Sequence, residues 1–255
     1  MFGYWRIPFL KRPGFAFFAL HKSGSSYAHT FLHRIFMRLK YRHETKLPSS
    51  GIENETYYGP VRLFESVPSG LFDAGKIILQ VRDPRDILTS LYFSLRYSHA
   101  LPADNPDAFL ANRGDLEGVD INEFVLEKAE EIGDRFRKFK TFLDQQNVLL
   151  LRYEQMVTDF DRWFDQIIDF CGLTWNLKLR RCLNSIRGEA DFTVDAEDVM
   201  QHKRQVQPGD YRRKLRAETI ESLNHEFEDV FEMFYEGEHR SLVDSDCTAS
   251  SFAEC

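Results

Sequence analysis

Residues 15–20 read FAFFAL, six consecutive side chains without a polar group. A strand with one wet face alternates apolar and polar residues, so an unbroken run of this length describes a strand covered on both faces. KIILQV at 76–81 and NVLLLRY at 147–153 repeat the character, and stretches of helical period separate the three. Strands buried on both sides and joined through helices form parallel sheets, because a crossover is needed to bring the chain back to the same end. The expected fold class is α/β, a central parallel β-sheet flanked by helices.

Two of these strands feed directly into helices. Tyr27, Ala28, Phe31, Leu32, Ile35, Phe36 and Leu39 recur at three- and four-residue spacing, which predicts a helix near 25–40 with Ser25 or Ser26 as its cap. Asp83 and Pro84 have the character of an N-cap and a first helical position, followed by Ile87, Leu88, Leu91, Tyr92 and Leu95 on one face. Further helices are expected at 121–145, at 159–173 with Gly172 as its stop, and at 217–234. The stretch 97–120 carries prolines, glycines and acids without a sustained period and is expected to run over the surface near a site. A single domain is expected over residues 1–240, with a polar tail at 241–255.

Composition narrows the function classes. The 255 residues are 43% hydrophobic, enough for one large core, and the formal net charge of -7 argues against a nucleic-acid partner. No apolar run approaches the roughly 18 to 20 residues needed to span a bilayer. The N-terminus MFGYWRIPFLKRPG lacks the pattern of a signal peptide, so a cytoplasmic protein is the expectation. Cys171, Cys182, Cys247 and Cys255 form no CxxC pair and no histidine-flanked spacing, so no metal is expected.

Three segments carry chemistry. HKSGSS at 21–26 lies where a buried strand meets a helix, so backbone N–H groups and the positive end of the helix dipole point at one place beside Lys22. Such a cradle suits an anion, although the lysine precedes the glycine and the loop is shorter than in GxxxxGK[ST]. VRDPRD at 81–86 puts Arg82 at the carboxyl end of a buried strand, where open α/β sheets bind ligands, with Ser90 eight residues on. Arginine and serine can share one phosphate, or Arg82 can pair with Asp86 and tie the turn. HKRQVQPGDYRRK at 202–214 is a cationic loop in an otherwise acidic chain.

Taken together and in order, HKSGSSY, VRDPRDILTSLYFS, LLLRYEQM (149–156) and RQVQPGDYRR resemble the sulfotransferase family that uses 3′-phosphoadenosine 5′-phosphosulfate (PAPS) as donor. The resemblance implies a P-loop-NTPase-like sulfotransferase fold and PAPS as co-substrate, with adenosine 3′,5′-bisphosphate (PAP) as product. It implies that Lys22, Ser23, Gly24, Ser25 and Ser26 hold the 5′ end of the nucleotide, Lys22 also stabilising charge on the departing phosphate. It assigns Arg82, Ser90 and Arg204 to the 3′-phosphate, with the backbone around Gly209 completing the clamp, and Tyr27 and Tyr153 to the adenine. Tyr27 stands where many members carry tryptophan. Val206 replaces a frequent glycine, and Tyr211 and Arg212 replace Trp and Lys.

The catalytic base is the main departure. RLFESVPSG (62–70) has Ser66 at the place of the family's histidine, which leaves Glu65 as first candidate and His43, Glu44 and Glu55 as others in the same variable segment. The stretches 41–68 and 97–120 are expected to shape the acceptor pocket, with Tyr57, Tyr58 and Phe64 either facing it or packing. The expected acceptor is a small-molecule or carbohydrate hydroxyl: an alcohol, a phenol or a sugar. A P-loop-type nucleotide kinase and a nucleotide-binding module without catalytic activity remain as alternatives.

Overall fold

In the computed structural model, which describes residues 12–62, 68, 70–98, 116–173, 177–192 and 206–235, the run at 15–20 forms β1 (Phe15–Ala19) with all five residues buried. It is the middle strand of a parallel sheet ordered β2-β3-β1-β4-β5, with β2 at Arg42–Glu44, β3 at Thr56–Val61, β4 at Lys76–Val81 and β5 at Val148–Arg152. The three strands expected from apolar runs are β1, β4 and β5. β1 and β4 pair in unbroken register from Phe15 beside Lys76 to Ala19 beside Gln80.

β2 and β3 lie in the stretch 41–68, where no strand was expected, and of the two readings left open for Tyr57 and Tyr58 the structure shows packing. Tyr57 and Tyr58 are core residues, and Tyr57 stacks on Phe36 with ring centroids 4.6 Å apart. Gly59-Pro60 hid this strand, because proline has no N–H to give a ladder. Pro60 lies beyond Tyr58, where the pairing with β2 ends, and at the irregular step in the pairing with β1 between Ala16 and Phe18.

The chain divides into two compact units: residues up to Val81 with Gln145–Asp191, and Arg82–Asp144 with Phe192 onward. The first contains the sheet, together with helix α1 (Ser25–Arg38), which packs on β2 and β3. In the second, α2 (Pro84–Phe93) packs against α3 (Ile121–Arg137), and the short α4 (Lys140–Leu143) follows. The chain then returns to the first unit, where α5 (Tyr153–Thr158) and α6 (Phe160–Phe170) pack on β5, and α7 (Leu177–Glu189) packs on α1. The second unit is completed by α8 (Tyr211–Lys214), α9 (Ala217–Glu226) and α10 (Glu228–Tyr235).

Helix starts follow local chemistry in α2 and depart from expectation in α1. Asp83 caps α2 by accepting from the Arg85 N–H at 2.9 Å, with Pro84 in the first turn. In α1 the cap is Gly24, in left-handed conformation, and no side chain caps the helix; Ser25 and Ser26 are its first two residues. Glycine is required at 24 twice over. Its φ is +72°, and a Cβ there would sit 2.7 Å from Cδ2 of Tyr153 and 2.9 Å from Cε of Met156.

α1 and β2 together form a cluster of imidazoles. His29 and the Tyr57 hydroxyl share a hydrogen bond of 2.9 Å, and the rings of His33 and His43 lie 5.6 and 5.3 Å from His29. Burial, reinforced by the nearby His43, His33 and Arg62 charges, lowers the His29 pKa from 6.5 to about 4.

Two outcomes follow from these contacts. Gly24→Ala is expected to destabilise the protein by about 2 kcal/mol or more in chemical denaturation, combining the left-handed penalty with the clash against Tyr153. For His29, the unfolded chain takes up a proton near pH 6.5, whereas the folded chain waits until about pH 4. Its contribution therefore lowers stability as pH falls from about 6.5 to 4, and His29→Gln is expected to flatten the melting-temperature profile in that window.

Candidate functional site

The turn from β1 to α1 is built to expose backbone. Lys22 and Gly24 both have left-handed φ, +68° and +72°, on either side of Ser23. For a lysine this conformation costs about 1–2 kcal/mol, so the surroundings must impose it. Ser23 is fully buried; its hydroxyl donates to the Leu20 carbonyl at 2.6 Å, and its own carbonyl accepts from Nε2 of Gln80 on β4 at 2.6 Å. Ser23 thus uses its hydroxyl proton inside the turn, and what it offers the cradle is backbone. Left-handed residues within such turns make concave nests of N–H groups, here continuous with the uncapped start of α1.

Arg62, the first residue after β3, completes the cradle and was not anticipated from the sequence. Its Nε donates to Ser25 Oγ at 3.0 Å and its Nη2 to Ser26 Oγ at 2.9 Å. Burial depresses its pKa, and among the described residues it forms no ion pair with a carboxylate. A desolvated guanidinium held by neutral hydroxyls keeps its positive charge directed at the cradle.

The two aromatic residues assigned to adenine lie in the same unit. Tyr153 begins α5 directly after β5, is buried, and closes on Gly24. The Tyr27 hydroxyl accepts from the Asp191 N–H at 3.0 Å and faces the Asp191 carbonyl at 3.2 Å, while its ring meets Phe31 edge-on.

In the second unit, Arg82 is buried and its Nη2 lies 3.5 Å from Oδ2 of Asp86, so the pairing considered as a simple turn-tie is present. Ser90 follows one helical turn after Asp86 on α2 and is half-buried. Gly209, with φ +86°, donates its N–H to Asp86 Oδ2 at 2.8 Å, and Tyr211 donates its N–H to Oδ1 at 3.2 Å. Arg82 and Gly209 thus meet at one carboxylate, and the Gly209 N–H is already committed to it. Burial pushes the Asp86 pKa up, while Arg82 and the two backbone donors pull it down.

Glu65 and Arg204 lie outside the described residues, as does Phe64. His43 places Nε2 2.8 Å from the Gly59 carbonyl, and Glu55 pairs with Arg12 at 3.2 Å on the surface. Glu44 is exposed at the end of β2. Among the described residues no group of three or more His, Cys, Asp or Glu is arranged for a metal ion, and no helix is long and apolar enough to cross a membrane. Gln80 is the residue whose importance could have been read earlier, as the single amide in the apolar run KIILQV.

Comparison with known proteins adds the family. The sulfotransferase domain profile matches residues 17–239. A search of curated protein sequences gives no significant match. Among solved structures, mouse sulfotransferase SULT7A1 complexed with PAP superposes with a TM-score of 0.61 at 17% identity, covering 94% of this chain and 90% of that one. Retinol dehydratase in complex with androsterone and inactive cofactor PAP gives 0.56 at 12% identity, covering 87% and 81%. At these identities the structural likeness establishes the fold, whereas the profile spans most of the sequence, including the β1–α1 cradle, Arg82 and the Gly209 turn. The chain belongs to the sulfotransferase domain family.

Proposed function

We propose that the protein transfers the sulfuryl group of PAPS to the hydroxyl of a small-molecule or carbohydrate acceptor. The observation that carries this reading is the cradle at Lys22–Ser26: left-handed residues around Ser23, an uncapped helix start, Lys22 within the turn, and the Arg62 side chain bonded to Ser25 and Ser26. In the reaction the bond from sulfur to the bridging oxygen of the 5′-phosphate breaks, and a bond from sulfur to the acceptor oxygen forms. The acceptor proton passes to a base, and negative charge grows on the departing phosphate. Lys22, Arg62 and the N–H groups at the start of α1 lower the barrier by meeting that charge as it develops.

The other assignments complete the donor site. Arg82, Ser90 and Arg204 hold the 3′-phosphate, and Tyr27 and Tyr153 face the adenine. Gly209 contributes by fixing its turn on Asp86, and its N–H is not a phosphate donor. Glu65 is the base. Androsterone in the retinol dehydratase complex favours an apolar alcohol among the possible acceptors.

Thermal-shift titration tests the donor. PAP is expected to raise the melting temperature well above the effect of ATP at equal concentration, since a ligand at 100 times its Kd stabilises by about 2.7 kcal/mol. Equal stabilisation by ATP would point to a kinase-like site instead. Lys22→Ala is expected to lower sulfuryl transfer from PAPS by about 100-fold or more at saturating donor, with PAP binding reduced far less. Sulfate transfer unchanged by that substitution would remove Lys22 from the mechanism.

A further inference from the structure

An aspartate in the first turn of a helix normally serves its own helix. Its charge complements the dipole, and an acid at the third position can fold back onto the cap N–H. Asp86 is the third residue of α2, yet its carboxylate is directed away from that helix's own N–H groups. Oδ2 accepts from the Gly209 N–H at 2.8 Å and lies 3.5 Å from Arg82 Nη2, and Oδ1 accepts from the Tyr211 N–H at 3.2 Å. The side chain is wholly buried, with 0% relative exposure. A carboxylate is kept in such a place only when its oxygens are met by donors, and the two N–H groups and Arg82 meet both of them.

We propose that Asp86 is the positioning residue that assembles the 3′-phosphate half of the donor site. The assignment rests on the donor reading above. Asp86 holds two things at once. It fixes the turn through Gly209 and Tyr211, which holds these two residues beside the start of α2. It also takes one edge of the Arg82 guanidinium, which fixes the plane of the fork.

The neighbouring charges are already balanced. Arg85 is bidentate on Asp83, at 3.0 and 2.6 Å, and is held between the rings of Tyr211 and Phe231 at 4.2 and 4.6 Å. Asp86 is thus left to Arg82 and the turn. Asparagine at 86 could accept from only one of the two N–H groups, and its amide would turn hydrogens toward the other or toward Arg82.

The alternative is that Asp86 merely neutralises Arg82 until ligand arrives, in which case its removal frees the arginine and tightens phosphate binding. The two cases predict opposite signs. Calorimetric titration of wild type and Asp86→Asn with PAP and with adenosine 5′-monophosphate separates them. The positioning role predicts a loss of tenfold or more in PAP affinity, with the monophosphate within twofold of wild type, and a raised donor KM with kcat nearly unchanged. Tighter or unaltered PAP binding overturns the assignment, as does an equal loss for both nucleotides, which marks a purely structural residue. If wild type binds the two nucleotides equally, the donor reading fails and takes this assignment with it.

Amide hydrogen exchange on the unaltered protein keeps the test open should Asp86→Asn not fold. The Gly209 and Tyr211 amides are expected to exchange at least about 100-fold more slowly than unstructured amides, and to slow further with PAP and not with the monophosphate. Exchange at the unstructured rate, or slowing by both nucleotides alike, overturns the proposal.

Discussion

The hydrogen bond from Gln80 to the Ser23 carbonyl ties the cradle to the sheet. A turn with left-handed conformation at both Lys22 and Gly24 is unfavourable alone, and it persists because several contacts impose it together. Gln80 holds the middle of the turn, the Ser23 hydroxyl closes it onto Leu20, and Tyr153 and Met156 leave room only for a glycine at 24. Gln80 is able to do this because β4 pairs with β1 in unbroken register, with Gln80 beside Ala19. A slip of one residue would turn the amide to the other face of the sheet. The fully buried β1 prevents that slip, so core packing and site geometry are one constraint.

Charge is handled differently in the two units. In the first, Arg62 rests on the two neutral hydroxyls of Ser25 and Ser26 at the start of α1. In the second, Arg82 meets Asp86 and Arg85 meets Asp83, so the start of α2 is close to neutral. Geometry, more than net charge, is what the second cluster supplies. It presents an oriented guanidinium and a fixed loop.

What was legible in the sequence was local. β1, β4 and β5 announced themselves as apolar runs, α2 through its Asp-Pro start, and the cradle through a lysine and a glycine at a strand-to-helix junction. β3 was not legible, since Gly59-Pro60 contradicts a strand until its neighbours are known to leave Pro60 outside regular pairing. Arg62 was missed for a related reason: it gains its meaning from Ser25 and Ser26, 37 and 36 residues earlier in the chain. Asp86 was visible only as the neighbour of Arg82, because the N–H groups that engage it are 123 and 125 residues away. The serine cap expected for α1 failed on competition, for a glycine at 24 leaves the first N–H groups uncapped and the serines then serve Arg62.

Tyr27, where the family resemblance would place a tryptophan, is fastened to the fold through its hydroxyl. Its hydroxyl accepts from the Asp191 N–H and lies within hydrogen-bonding distance of the Asp191 carbonyl, so one phenol meets both polar groups of a single residue's backbone just beyond α7. An indole could not, since its ring nitrogen only donates and would leave the N–H unmet. The same end of α7 is fastened to α1 a second time, by the two hydrogen bonds between Arg34 and Glu189. The tyrosine ring therefore has a polar tether at its far edge that both donates and accepts, which an indole can reproduce only in part.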